Sequence, residues 1–533
     1  MFTLWYGGPI YTMTEEGHQV EAILTENDKI IATGNIQEFE IKYKITKRIN
    51  LNGQTLLPGF VDSHLHLIGH GEKLIRLDLS RYRSKREVLE AVKNYAESVA
   101  GGEWVIGEGW NENLWEEAEP IVRSDIDAVV SNHPVLLKRI CRHALVVNSC
   151  ALEEASIVEG KEYQVEGVIG KDKDGALNGI FKEEAQSLVL DAVPKATNSY
   201  LKRALRTAIR DAHSHGLTGG HTEDLSYYNG FGPTYNIFRE VIEEEGTHFR
   251  AHLLVHHKVM DDFQKAGGHF LKGNEWIEFG AIKIFTDGSL GGRTALLSHP
   301  YADDPTTNGV AIFSQEELNA LVAKVRELRM PIAVHAIGDL AFEMTLQAIE
   351  ENPLNVPGKD RLIHAQILRR DLINRAKKLP IILDLQPSFV ASDFPWVTDR
   401  IGESRMKYCY AWKTLLEENL HCAGGSDAPI EDISPLLGIH AAVTRTSPTD
   451  ENQITYRPEE ALSIYEAVCL YTKGSAFAAC HEEDRGMIKE GFLADFTILD
   501  RDIFGCRSDE LLKIKIEKTV IGGEMVYSRK ETV

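Results

Sequence analysis

Leu57-Pro58-Gly59-Phe60-Val61-Asp62-Ser63-His64-Leu65-His66 is the stretch on which the reading of the chain turns. The apolar run Leu56–Leu67 around it reads as a β-strand, and two histidines at positions i and i+2 near its end share one face. Seven later runs have the same character: Leu217–Glu223, Phe249–His256, Phe279–Thr286, Pro331–Ala336, Arg361–Gln366, Ile381–Pro387 and His421–Ser426. Amphipathic stretches such as Ser314–Arg329 and Leu340–Glu351 separate the later ones. Eight alternating units predict an α/β fold, a (β/α)8 TIM-like barrel whose functional groups lie at the C-terminal strand ends. An open doubly wound sheet is the alternative, but no Gly-x-Gly-x-x-Gly follows an early strand.

Outside these units the pattern changes. Phe2 to Met13, Val20 to Thr33 and Ile45 to Leu57 alternate apolar and polar residues between turn signals, which predicts short antiparallel strands. Residues 494–499, 518–521 and 524–527 read the same way. We therefore expect residues 1–57 and 481–533 to form a small composite β-sandwich, with the barrel over residues 58–480. The distance from the first strand to the second is too long for one helix and loop. An inserted α/β subdomain is placed at about residues 84–195.

Five strand ends carry residues that bind divalent metals. His64 and His66 are followed by Lys283, His335, His364 and Asp427, which together suggest one two-metal site. Imidazoles and a carboxylate suit zinc or its neighbours. Lysine joins such a set only as an anionic carbamate, formed when a neutral amine captures carbon dioxide. Otherwise Lys283 snorkels outward or pairs with an acid. A His-x-His arises about once by chance in a chain with 20 histidines. His213-Ser214-His215 is an internal control, because it ends a helical run where residues two apart diverge. His221, His252, His256 and His257 receive no role.

The bulk properties narrow the class. With 533 residues, 43% hydrophobic and 26% charged, this is ordinary globular composition. A net charge of -22 argues against nucleic acid or an anionic membrane as partner. Seven scattered cysteines without a C-x-x-C pair read as reduced thiols. With no signal-like start and no long apolar run, the expected location is cytoplasmic.

The motifs also resemble a known family. Residues 57–66 look like the first-strand motif of the metal-dependent amidohydrolase superfamily. Residues 282–295, Ile-Lys-Ile-Phe-Thr-Asp-Gly-Ser-Leu-Gly-Gly-Arg-Thr-Ala, are similar to the lysine segment of amidohydrolase family 3, the branch that includes N-substituted formamide deformylases. Val334-His335-Ala336-Ile337-Gly338-Asp339, Ile363-His364-Ala365-Gln366 and Gly425-Ser426-Asp427-Ala428-Pro429 match its later strands, and residues 486–496 its return to the sandwich. Relatives usually show Glu-His where this chain has Ile363-His364.

The resemblance implies a hydrolase of C–N bonds in linear amide, N-acyl or N-formyl compounds, using metal-activated hydroxide. His64, His66 and Asp427 would bind one ion, His335 and His364 the second, and carbamylated Lys283 both. Zinc is the expected metal. Asp427 would also transfer the proton to the leaving nitrogen. Trp110 and His143, from insert segments resembling those that reach the barrel mouth, and Asp287 and Arg293, after the lysine strand, are candidates to face substrate. Alternatively, Trp110 belongs to the insert's own core and Arg293 pairs with an acid. The other functional readings are an ester, lactone or cyclic amide as substrate, a lyase or isomerase step, or a non-catalytic regulatory relative. A homodimer is the expected assembly.

Overall fold

The computed structural model describes residues 1–529 apart from 100, 113, 114, 117, 118, 140–143, 162, 166, 451 and 453. The chain divides into two compact units, Met1–His70 with Leu205–Val533, and Gly71–Ala204.

The larger unit is organised by eight parallel strands: β1 Phe60–Leu65, β2 Leu217–Thr222, β3 Arg250–His256, β4 Ile277–Phe285, β5 Ile332–Ala336, β6 Asp360–His364, β7 Ile381–Leu385 and β8 His421–Gly424. Each pairs with its neighbour in sequence, so the sheet runs in order from β1 to β8. Every residue of β2, β3, β6 and β7 is buried, as expected of strands covered on both faces, and this is why they read as apolar runs. Helices such as Gln315–Glu327 and Asp339–Glu351 connect them. The first is started by a capping box. Ser314 Oγ accepts from Glu317 N at 3.2 Å, and the Glu317 carboxylate accepts from Ser314 N at 2.8 Å.

The sheet is a nearly closed barrel. Where β1 meets the end of β8, Asp427 N donates to the His64 carbonyl at 2.7 Å. The buried carboxylate of Asp62 spans the same junction. It accepts from His64 N at 2.9 Å, Ser426 N at 3.0 Å and Ser426 Oγ at 2.6 Å. Gly425 is tied to this approach, because a Cβ there would lie 2.6 Å from His64 N and 2.8 Å from Asp62 Oδ1.

Strands from both chain ends share one eight-stranded sheet, in which Thr55–Pro58 pairs antiparallel with Phe496–Leu499. One expectation is corrected here. Lys47–Asn50 and Thr55–Pro58 run parallel, not antiparallel, to Phe2–Tyr11. Helix Ile36–Lys42 precedes Lys47–Asn50 and returns the chain so that this strand enters in the same direction as the first. Val20 to Thr33 is two strands, Gln19–Glu26 and Lys29–Gly34, turned at Asn27 with φ 53°.

The second unit, Gly71–Ala204, holds a six-stranded sheet that includes Val105–Trp110, Val135–Arg139 and Ala144–Val147. It is wider than the segment 84–195 expected from sequence. Its edge strand Leu77–Asp78 has two residues, too few to show a period, and its C-terminal boundary falls inside helix Asn198–Ser214. Among the described residues, no helix is long and apolar enough to cross a membrane.

Asp62→Ala leaves three donors at the barrel junction without their acceptor, two of them backbone amides. We expect a loss of about 3 kcal/mol, read as a lower Tm in thermal unfolding. An unchanged Tm would show that the Asp427–His64 backbone bond closes the junction alone.

Candidate metal centre

His64 and His66 lie at the end of β1, Lys283 in β4, His335 in β5, His364 at the end of β6, and Asp427 just after β8. All six line one cavity of about 530 Å³. His335 and Phe285 are register partners across β5 and β4, as are Ala336 and His364 across β5 and β6, so pairing alone sets the strands of Lys283, His335 and His364 side by side. The backbone takes the left-handed conformation at His364, Ala365 and Asp427, with φ of 80°, 46° and 57°, and such strain gathers at functional strand ends.

The donor atoms of His64, His66 and Asp427 all lie within 4.8 Å of one another. Asp427 Oδ1 is 3.4 Å from His64 Nε2 and 3.4 Å from His66 Nε2. Lys283 Nζ stands 3.1 Å from His64 Nε2. The rings of His335 and His364 are 4.5 Å apart between centroids, and those of His64 and His364 are 5.8 Å apart.

Partners on the far ring nitrogens orient three of the imidazoles. His66 Nδ1 meets the Glu223 carbonyl at 2.6 Å, which leaves Nε2 for a ligand. His364 Nδ1 meets Gln386 Oε1 at 2.8 Å, again leaving Nε2. His335 Nε2 meets the Gly288 carbonyl at 3.0 Å, so ligation would fall to Nδ1. This is how metal-binding histidines are ordinarily held.

The charge states also fit a cation. Burial holds His64 and His335 well below the usual imidazole range and brings His364 down to about 4, so all three are neutral bases near pH 7. Burial also lowers the Lys283 amine, which has 0% exposure. Burial opposes charge on Asp427 and on His66 as well. Their mutual hydrogen bond and the opposite charges around each together outweigh it, keeping the carboxyl below its ordinary range and lifting His66 to about 9. Without a metal the site therefore holds one ion pair beside three neutral imidazoles and a lysine whose charge is disfavoured by burial. That donor set matches a divalent metal and is unusual for packing alone.

The candidates for substrate contact fall elsewhere. Trp110 is buried in the core of the Gly71–Ala204 unit, its ring 6.0 Å from that of Trp115 and its Nε1 donating to the Leu137 carbonyl at 3.4 Å. Asp287 accepts from Leu296 N at 2.9 Å, Ile337 N at 3.1 Å and Gly338 N at 2.8 Å, which anchors the loop after β5. Arg293 forms a two-pronged pair with Asp303, at 3.1 and 2.9 Å. His143 lies outside the described residues.

Other cavity residues went unremarked in the sequence: Tyr227, Phe285, Phe389, Asp393 and Trp396 line it, and Gln386 orients His364. Gln386 directly follows β7, as Asp427 follows β8, a positional signal. Asp393 and Trp396 lie in helix Phe389–Ile401, where nothing in the local pattern points to a cavity.

Comparison with known proteins agrees with this geometry. The amidohydrolase family model matches residues 47–527. YtcJ of Bacillus subtilis (strain 168), which carries a provisional amidohydrolase name, is 50% identical over 99% of this chain and 100% of its own length. The N-substituted formamide deformylase of Arthrobacter pascens is 25% identical over 98% of this chain and 97% of its own. A solved structure of an uncharacterized metal-dependent hydrolase from Pyrococcus furiosus superposes with a TM-score of 0.78 at 29% identity, covering 95% of this chain and 100% of that one.

A lysine with a depressed folded-state pKa binds fewer protons folded than unfolded, so its penalty is greatest at low pH and fades as pH rises toward the ordinary lysine value. Chelator-treated protein should therefore gain stability from Lys283 across the alkaline range below that value. Lys283→Met should remove the gain. Parallel unfolding curves for the two proteins against pH would show that Lys283 is charged in the folded state.

Proposed function

The chain belongs to amidohydrolase family 3, and from that premise we propose that it hydrolyses the C–N bond of a linear amide, N-acyl or N-formyl compound with two divalent metal ions, zinc first among candidates. The observation that carries this reading is the convergence of four histidines, a buried lysine and a carboxylate from five strand ends on one cavity. The deformylase among the relatives acts, by its name, on N-substituted formamides, and this supports an amide over an ester or lactone.

His64, His66 and Asp427 would hold one ion and His335 and His364 the other. Lys283 would serve both as a carbamate, its neutral amine adding to carbon dioxide with loss of one proton. Bound there, the ions supply Lewis acidity toward a carbonyl oxygen and lower the pKa of a shared water. The protein's own work is positional. Asp427 Oδ1, 3.4 Å from two imidazole nitrogens, accepts the proton of the attacking water and delivers it to the leaving nitrogen. Gln386, the Glu223 carbonyl and the Gly288 carbonyl keep three rings turned toward the cavity. Phe285, Phe389 and Trp396 exclude bulk water around the scissile bond. A small-molecule substrate, a cytoplasmic location and a homodimer complete the proposal. Six cysteines are described and all are unpaired thiols, which suits a reducing compartment.

Metal analysis of protein purified without chelator in bicarbonate buffer tests the centre. We expect about two equivalents per chain, falling in Lys283→Ala. One equivalent or none, unchanged by that substitution, would refute the shared carbamate. Asp427→Asn should keep most of the metal and lose turnover by about a hundredfold or more on a panel of amides, esters and lactones. Full activity in that variant removes Asp427 from proton transfer, and turnover of esters or lactones with no amide replaces the C–N assignment.

A further inference from the structure

Two arginines share one acid beside the cavity, and the hydrolytic machinery uses none of the three. Arg293 and Asp303 belong to residues 286–314, which join β4 to helix Gln315–Glu327 without a helix or strand of their own. A connection of that length without regular structure is usually functional. Arg400 stands near the end of helix Phe389–Ile401, after β7. The Asp303 carboxylate accepts from Arg293 Nε at 3.1 Å and Nη2 at 2.9 Å, and from Arg400 Nη1 as well. Arg400 also reaches the Gly291 carbonyl, at 3.5 Å. Asp303 therefore ties a turn of the long connection to the helix.

Both tied elements line the cavity, Ser289, Leu290 and Gly291 from the turn and Phe389 and Trp396 from the helix. They meet where a Cβ placed on Gly291 would lie 3.4 Å from Cη2 of Trp396. The turn is braced internally, since Thr294 Oγ1 accepts from Ser289 N at 2.9 Å and Thr294 N donates to the Ser289 carbonyl at 3.0 Å. Other bonds anchor the chain on either side of it. Asp287 holds the backbone before the turn through Leu296, Ile337 and Gly338. Arg405 donates to the His299 and Pro300 carbonyls at 3.1 and 2.9 Å, and Ala302 N donates to the Arg400 carbonyl at 2.8 Å. What Asp303 adds is a negative charge between two guanidiniums. Without it Arg293 and Arg400 face each other as like charges, which drives the turn away from the helix. The cavity is open elsewhere, where its lining residues Tyr227 and Ile430 are 50% and 65% exposed.

We propose that Asp303 is a positioning residue that sets substrate specificity: by clasping Arg293 and Arg400 it keeps the Ser289–Gly291 turn shut against Trp396 and limits the size of the substrate end lying there. This rests on the hydrolase reading above and adds to it a short end, held at the clasped wall, and a long end that leaves past Tyr227 and Ile430. Asp303 touches neither the substrate nor the metal ligands in this arrangement. It acts through the wall that its two arginines hold in place.

The test uses two series of straight-chain amides on the metal-loaded enzyme, one lengthened on the acyl side from formyl to hexanoyl, the other on the amine side from methyl to hexyl. In one of them wild-type kcat/KM should fall by about tenfold or more from shortest to longest, mainly through KM. Asp303→Asn should cut that fall to about threefold or less and raise KM for the shortest member. Its kcat on that member and its metal content should stay as in wild type, because Asp287 still fixes the backbone beside the ligands. Asp303→Glu, which keeps the charge, should retain the wild-type fall. Arg400→Gln removes the helix's half of the clasp and should flatten the same series, which is separate evidence if Asp303→Asn folds poorly. Hydrogen exchange gives a readout free of turnover: peptides covering residues 286–303 should exchange faster in Asp303→Asn, with the barrel strands unchanged. No steep series in wild type, an unaltered fall in both variants or unchanged exchange overturns the inference while leaving amide hydrolysis intact. Faster exchange confined to that segment, with no hydrolysis of any amide, supports the clasp and refutes the hydrolase reading instead.

Discussion

The buried carboxylate of Asp62 is where the two edges of the parallel sheet are held together, and the functional centre depends on it. Its oxygens accept from His64 N on one edge and from Ser426 on the other. A sheet with free edges exposes unpaired backbone groups, and these side-chain bonds satisfy them where strand pairing stops. Holding Ser426 against β1 also places Asp427 beside His64 and His66, residues more than 300 positions earlier in the chain. The Asp427 carboxylate could not lie 3.4 Å from both imidazoles if the junction were open.

Below the centre the barrel interior is polar as well. Arg361 donates from Nε to Asp384 at 2.8 Å and from its terminal nitrogen to the Ser63 carbonyl at 2.5 Å, so a buried guanidinium braces β6, β7 and β1. A charge buried at this depth is tolerated because it is paired and hydrogen-bonded. Among the described residues, Lys283 has no such carboxylate partner at contact distance and meets His64 Nε2 instead. Of these two buried basic residues, Arg361 is paired with an acid, and Lys283 faces the cavity of the candidate centre.

Much of this was legible in the chain. Strands covered on both faces must be apolar throughout, and all eight barrel strands were recognised from that pattern. The rule that i and i+2 share a face on a strand and diverge on a helix distinguished His64–His66 from His213–His215. His213 is indeed occupied in packing, its Nε2 against the His248 carbonyl at 2.9 Å. Strand direction in the terminal sheet was not legible, because Lys47–Asn50 has the same alternation whether it pairs parallel or antiparallel. Nor were the partners of Asp287 and Arg293. An acid and a base after a lysine strand look like substrate ligands until Leu296, Ile337, Gly338 and Asp303 are seen to occupy them.

The sequence by itself determined the barrel's strands and the residue types at their ends, since burial on two faces constrains residue identity locally and imidazoles and carboxylates stand out against an apolar run. Tertiary structure alone decided which ring nitrogen of His66, His335 and His364 is left toward the cavity, what holds the sheet's edges together and which acids face the cavity. Those properties arise from contacts between residues far apart in the chain, such as Asp62 with Ser426, His364 with Gln386 and Asp393 with Tyr410. Side-chain type restricts the possible partners of each, and only the folded geometry selects among them.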